Sequence, residues 1–168
     1  MLCINKCNVF RFDEVHFGGF ASKYIQNDFF FDVHPPLAKM IIAFTGWISG
    51  FKGDFAFSQI GLDYLLPGTL KGIIKGVPYI AMRSCTAVFG ALIVPMTYKS
   101  LRSWGFSIIS SAIVSLFLAF ENGFMTQSRF ILLDSLLIFS IAFAFTCWSL
   151  VESKESQYAN FNIQEKCL

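Results

Sequence analysis

The chain has 168 residues, 55% of them hydrophobic and 14% charged, with 21 Phe and a formal net charge of +2. Ordinary soluble domains carry roughly 25% charged residues, so the composition excludes a typical soluble globule and points to a membrane protein. The basic residues are scattered and form no tract, which excludes a nucleic-acid partner.

Residues 1–11 form an N-terminal stub without the apolar core that a signal peptide needs. Cys3 and Cys7 are spaced CxxxC, but no second pair completes a zinc site. Cys85 and Cys147 lie inside apolar runs, the total of five is odd, and no disulfide framework is legible.

The next unit, residues 12–76, opens with FDEVHFGGFASKYIQNDFFFDVHPPLAKM, in which six Phe accompany a dense set of charges. That mixture suits a polar site against a membrane surface, with aromatic rings at the interface and carboxylates facing water. Gly18–Gly19 allows a tight turn or a close approach, and FASKYI suits a short amphipathic helix. Pro35–Pro36 suits the first turn of a new helix, where a missing N–H costs nothing. The charge-free run after Lys39, Met40 to Phe51, is 12 residues, short of the roughly 20 that span a bilayer. It reads as an interfacial or re-entrant helix. Lys52 to Gly76, with its glycines and Pro67, reads as a connecting loop.

Residues 77–151 hold three expected transmembrane helices: Val77–Tyr98, Phe106–Phe120 and Phe130–Val151. Residues 152–168 form a polar tail, expected to be disordered. Lys99 and Arg102 load one short loop, whereas Glu121–Arg129 carries only Arg129, so the positive-inside rule places the former loop in the cytoplasm. Asp13 then shares the opposite side with Glu121–Arg129, while Lys71 and Lys75 argue the other way. The fold class is all-α, a polytopic helical membrane protein.

Asp13–Glu14 is the main chemical candidate. Adjacent carboxylates at a membrane face can supply a general base, with the neighbour tuning it or holding the acceptor; the bland reading is an acidic interfacial turn. His34, held extended by the prolines that follow, suits a phosphate or a sugar hydroxyl, or else merely caps a helix. Arg83, Arg129 and Asp134 sit near span ends. Two guanidinium forks there suit a lipid phosphate, and the alternative is snorkelling plus an interhelical Arg–Asp pair.

The runs FDEVHFGGFASKYI, FFFDVHPPLAKM, PYIAMR and ENGFMTQSRFILLD closely resemble the protein O-mannosyltransferases, membrane glycosyltransferases of the GT-C class. The wording of DEVHFGGFASKYI and DVHPPLAK is most like their fungal first subfamily. The resemblance implies inverting transfer of mannose from dolichyl phosphate mannose to Ser/Thr hydroxyls of secretory proteins, at the lumenal face of the endoplasmic reticulum membrane. It implies Asp13 as the base with Glu14 assisting, Asp32 and His34 lining the substrate site, and Arg83 and Arg129 offsetting the charge of the leaving phosphate. It implies no metal and no cofactor, the lipid-linked donor being a substrate. The implied partners are membrane lipid and a homologous mannosyltransferase subunit in a heterodimer. The family's first transmembrane helix, later helices and lumenal MIR domain have no counterpart here, and the stretch between Gly61 and Pro78 is longer than the family pattern, so the chain reads as a partial GT-C module. Two rivals stand beside catalysis: a non-catalytic interaction subunit of a full-length mannosyltransferase, and a small transporter or channel subunit built on an Arg83–Asp134 pair.

Overall fold

The computed structural model describes residues 12–55, 57 and 77–166, and every regular element among them is an α-helix. The helices in chain order are α1 (Phe12–Gln26), α2 (Pro36–Ile48), α3 (Tyr79–Ser103), α4 (Ile108–Phe120), α5 (Asn122–Gln127) and α6 (Asp134–Lys166). Cys3, Cys7, most of the expected 52–76 loop and nearly all of the long stretch before Pro78 lie outside the described residues.

Helix starts and stops follow local chemistry. α2 begins with Pro36 in its first turn, where proline gives up no hydrogen bond. α2 and α3 both end on a glycine in the left-handed region, Gly50 (φ 86°) and Gly105 (φ 85°). At each, the next residue's N–H reaches back to close the last turn, Phe51 to the Gly46 carbonyl at 3.0 Å and Phe106 to the Leu101 carbonyl at 3.2 Å. α1 does not turn at Gly18–Gly19 but runs straight through them. Gly18 serves close approach instead, because a Cβ there would lie 2.2 Å from the Phe57 ring.

α3 and α6 lie side by side and run in the same direction. The Thr86 hydroxyl donates to the Phe130 carbonyl at 2.9 Å near their starts, and the Ser100 hydroxyl to Thr146 Oγ1 at 2.9 Å further along. Two parallel neighbours need a return connection, and α4 with α5 supplies it. α4 is 13 residues, about 20 Å at 1.5 Å per residue, so the second of the three expected spans, Phe106–Phe120, forms only a short helix. Its buried residues are Ser111 and Ser115, small side chains one turn apart that allow close helix approach, with hydroxyls returned to carbonyls of the preceding turn.

Among the described residues two helices are long and apolar enough to cross a membrane: Tyr79–Ser103, mean hydropathy 1.5, and Asp134–Ser156, mean hydropathy 1.8. Only 28% and 22% of their apolar windows are buried, whereas a soluble core helix would be mostly covered. Their outward faces are therefore lipid-compatible. Trp104, Phe145 and Trp148 cluster at the far end, with ring centroids 5.3 and 6.4 Å from Trp104, as aromatic side chains do at a membrane–water boundary. The tail expected to be disordered is instead helical, since α6 continues to Lys166. Residues 152–166 contain neither Gly nor Pro, and extending a helix already nucleated is far easier than starting one.

The buried core lies at the near end, where α1 and α2 dock on the start of α3. Ala21, Ile42, Phe51, Val77, Met82 and Ile131 form its centre. The helix packing is tight at Gly90, where an added Cβ would lie 2.5 Å from Ser128 Cβ. Gly90→Ala should therefore lower stability by about 1–3 kcal/mol through overpacking. At Gly46 the added Cβ would meet Phe51 and Met82 at 3.5–3.7 Å, ordinary contact, so Gly46→Ala should be neutral or stabilising by up to ~1 kcal/mol from helix propensity. Thermal unfolding in detergent, followed by circular dichroism, separates the two.

Candidate functional site

Asp13 and Glu14 occupy the first turn of α1. Consecutive helical residues point about 100° apart, so the two carboxylates part company: Asp13 is exposed, and Glu14 is 0% exposed. Glu14 receives a two-pronged contact from Arg83 in the first turns of α3, with Nε to Oε1 at 2.8 Å and Nη2 to Oε2 at 2.7 Å. The Ile131 backbone N–H also donates to Glu14 Oε1 at 3.1 Å. The Arg83 guanidinium, 1% exposed, lies 5.2 Å from the Tyr79 ring centroid and 5.6 Å from that of Phe130. Planar fork geometry and aromatic faces are what a buried guanidinium requires. One carboxylate thus fastens α1, α3 and the strap before α6. Arg83 pairs with Glu14 and not with Asp134, which is exposed, so the pairing that a transporter reading needs is not formed.

A second polar cluster holds the connection between α1 and α2. Lys39, 3% exposed on the inner face of α2, donates through Nζ to Asp32 Oδ2 at 2.6 Å and to the His34 carbonyl at 2.8 Å. The same ammonium sits 5.3 and 5.5 Å from the Phe20 and Phe30 ring centroids. His34 Nδ1 lies 3.2 Å from both Asp32 carboxylate oxygens, and its ring meets Phe17 edge-on at 5.9 Å. Phe17 is one turn along α1 from Asp13, so both polar clusters are anchored on α1. Lys39 is the residue that sequence reasoning missed. Its signal was a lone cation on the apolar stripe of α2, a few residues after a carboxylate and two prolines.

Arg129 lies at the same end, two residues before Ile131. It lines a cavity of about 200 Å³ with Gly90 and Ala91 of α3, Phe124 and Met125 of α5, and Ser128. Its side chain makes no hydrogen bond or ion pair among the described residues. The structure therefore joins Glu14 to Arg83 and Asp32 to His34, turns Asp13 outward, and leaves Arg129 as an uncommitted cation.

Hydrogen bonding from Lys39, aided by His34 and by the charge of both, holds the Asp32 carboxyl down at about 2. A carboxylate whose folded value is depressed stabilises the fold when ionised. That contribution is complete above the ordinary carboxylate value near 4 and is lost as pH falls through about 2. Carbon NMR titration of labelled Asp32 should give a midpoint near 2, and Lys39→Met should return it towards the ordinary range. For the buried pair, Glu14→Ala leaves an uncompensated buried guanidinium and should cost about 3–5 kcal/mol. The double variant Glu14→Leu/Arg83→Met should lose less than Glu14→Ala alone, as read by unfolding in detergent.

The family model for dolichyl-phosphate-mannose-protein mannosyltransferase matches residues 1–164. Over 137 residues the chain is 46% identical to dolichyl-phosphate-mannose–protein mannosyltransferase 4 of Saccharomyces cerevisiae, covering 82% of this chain and 17% of the relative. It is 47% identical over 152 residues to dolichyl-phosphate-mannose–protein mannosyltransferase 1 of Candida albicans, covering 90% of this chain and 16% of the relative. These near-equal identities do not single out one subfamily. The fold matches a chain of the S. cerevisiae protein O-mannosyltransferase Pmt1-Pmt2 complex bound to the sugar donor, with a TM-score of 0.75, 44% identity, and coverage of 84% of this chain and 18% of that one. The chain thus spans less than a fifth of the length of these relatives. The family model over residues 1–164, the identities of 46–47% over most of the chain and the shared helical architecture show that this chain belongs to the dolichyl-phosphate-mannose-protein mannosyltransferase family.

Proposed function

We propose that the near end of this bundle serves transfer of mannose from dolichyl phosphate mannose to Ser/Thr hydroxyls of secretory proteins. The observation that carries the reading is the divided carboxylate pair: Glu14 locked to Arg83 and Ile131, Asp13 exposed beside it on the same rigid turn. A general base must be free to meet its proton donor yet fixed in position, and this arrangement supplies both. Asp13 takes the proton of the acceptor hydroxyl as its oxygen attacks the anomeric carbon. The bond from that carbon to the phosphate oxygen breaks, and dolichyl phosphate leaves with the electron pair, inverting the centre. Glu14 and Arg83 act as positioning residues in this reading, because Arg83 has its fork engaged by Glu14. Arg129, uncommitted at the same end, is the cation offered to the leaving phosphate. Asp32 serves through His34, which it orients for substrate contact.

The reading places the protein in the endoplasmic reticulum membrane, with this end lumenal, and beside a homologous mannosyltransferase subunit. The donor-bound yeast complex supports both the donor and the pairing. It also takes α4, with α5, as the middle of three crossings. A second reading, a non-catalytic interaction segment, is favoured by the exposed apolar face of α4, where Phe117 and Phe120 are each 75% exposed.

The discriminating experiment supplies dolichyl phosphate mannose and a Ser/Thr acceptor peptide to the protein in its native membrane. Asp13→Asn should lower transfer by about 10²-fold or more, while insertion and thermal stability stay unchanged. Arg129→Gln should weaken donor use without unfolding. Transfer retained by Asp13→Asn overturns the assignment, and wild-type protein that is inactive yet co-purifies with an intact transferase establishes the second reading.

A further inference from the structure

The connector between α1 and α2 alternates in exposure. Phe29, Phe31 and Val33 are 96%, 87% and 83% exposed, while Phe30 and Asp32 between them turn inward. A period of two marks extended backbone, whose successive side chains point to opposite sides. The two inward residues peg the connector down. Phe30 stacks on Phe20 with centroids 4.9 Å apart and meets Tyr24 edge-on at 5.1 Å, and Asp32 is gripped by Lys39 at 2.6 Å. Among the described residues, no backbone N–H or C=O of residues 29–33 takes part in a hydrogen bond. The connector is a short extended edge, held from behind and unpaired along its length.

Its course is set by α1. Asp13, Phe17, Phe20 and Tyr24 recur at steps of four, three and four residues, so they share one stripe of that helix. The connector lies along this stripe and runs against the direction of α1, with Phe30 at Tyr24 and Phe20 and the His34 ring at Phe17. The next member of the stripe is Asp13. One helical turn separates it from Phe17, about 6 Å, which about two residues of extended chain cover.

Exposed phenylalanines alone would suit lipid. Hydrocarbon, however, leaves the unpaired N–H and C=O groups of the connector unsatisfied, a cost that bars such backbone from the bilayer core. An extended polypeptide answers both features. Its backbone pairs with the free edge, and its alternate side chains pack on Phe29, Phe31 and Val33, as in recognition by strand addition. Resting on the transfer reading above, we propose that residues 29–33 bind the acceptor polypeptide as an added strand and lead its Ser or Thr to Asp13. The hydroxyl residue lies about two positions beyond the paired stretch, and the preferred acceptor carries apolar side chains at alternate positions on one side of it.

The test measures binding without donor, so it does not depend on transfer. In the whole chain in phosphatidylcholine nanodiscs, p-benzoylphenylalanine replaces Phe31, an exposed position. The probe is a peptide with one Thr flanked on both sides by alternating Val and Gln. After photolysis, mass spectrometry of the adduct identifies what lies against position 31. The expected product is a peptide adduct, about tenfold or more above that of a peptide with Gln in place of every Val. Methylating alternate amides of the peptide should abolish the adduct in one register and spare it in the other. In the chain without the photoprobe, Phe29→Ser/Phe31→Ser/Val33→Ser should raise the peptide Kd about tenfold or more while thermal unfolding stays unchanged. Phospholipid adducts in place of peptide adducts, adducts to a second copy of the chain, equal labelling by the two peptides, or indifference to the methylation register or to the triple variant would each overturn the proposal. Any of these leaves the Asp13 assignment to its own transfer assay, and failure of that assay leaves the binding result standing.

Discussion

The arrangement at the near end depends on one buried ion pair. Glu14 and Arg83 are 0% and 1% exposed, and taking two such charges out of water carries a penalty of several kcal/mol each. The penalty is offset because the fork is bidentate, a backbone N–H adds a third contact, and two aromatic rings flank the cation. Those contacts come from three separate parts of the chain, and all three must be in place together. The pair thus works less as a source of net stability than as a lock on geometry. It sets where α1 meets α3, and with that where Asp13 points.

The second clamp divides its labour in a similar way. Lys39 is buried so that Asp32 is held, and Asp32 is held so that His34 has one orientation. In both clusters one ionised group faces inward and is fully engaged, while a neighbour in sequence, Asp13 or His34, is left at the surface. These exposed groups therefore stand on short turns, and the phenylalanines around them, Phe17, Phe20 and Phe30, pack on one another, on the His34 ring and against the Lys39 ammonium.

Away from this end the bundle is loosely covered. The parallel α3 and α6 meet through Thr86, Ser100 and Thr146 hydroxyls, while large apolar side chains such as Phe117, Ile141 and Trp148 face outward. In water that distribution would be unfavourable; in lipid it is the expected one, since helix association there uses small and polar contacts rather than hydrophobic burial. The helical continuation of α6 to Lys166 carries the chain beyond the length that a bilayer requires.

Much of this was legible in the residues themselves. Hydropathy marked α3 and α6, the double proline marked the start of α2, and the quoted motifs pointed to the family, because each of these signals is local. The tail misled for a related reason: polarity suggested disorder, but helix propagation from a nucleated span does not need an apolar face. The sequence could nominate Asp13, Glu14, Asp32, His34, Arg83 and Arg129, but it could not say which of them are engaged with one another. Glu14 and Arg83 are 69 positions apart, and their contact arises only when α1 docks on α3. The opposite fates of Asp13 and Glu14 follow from a 100° helical step set against that docked surface. By itself, the sequence determined element type and family, through local periodicity and motif wording. Only the tertiary structure decided which charges are buried and spent and which are left free, because burial and pairing depend on segments brought together from distant parts of the chain.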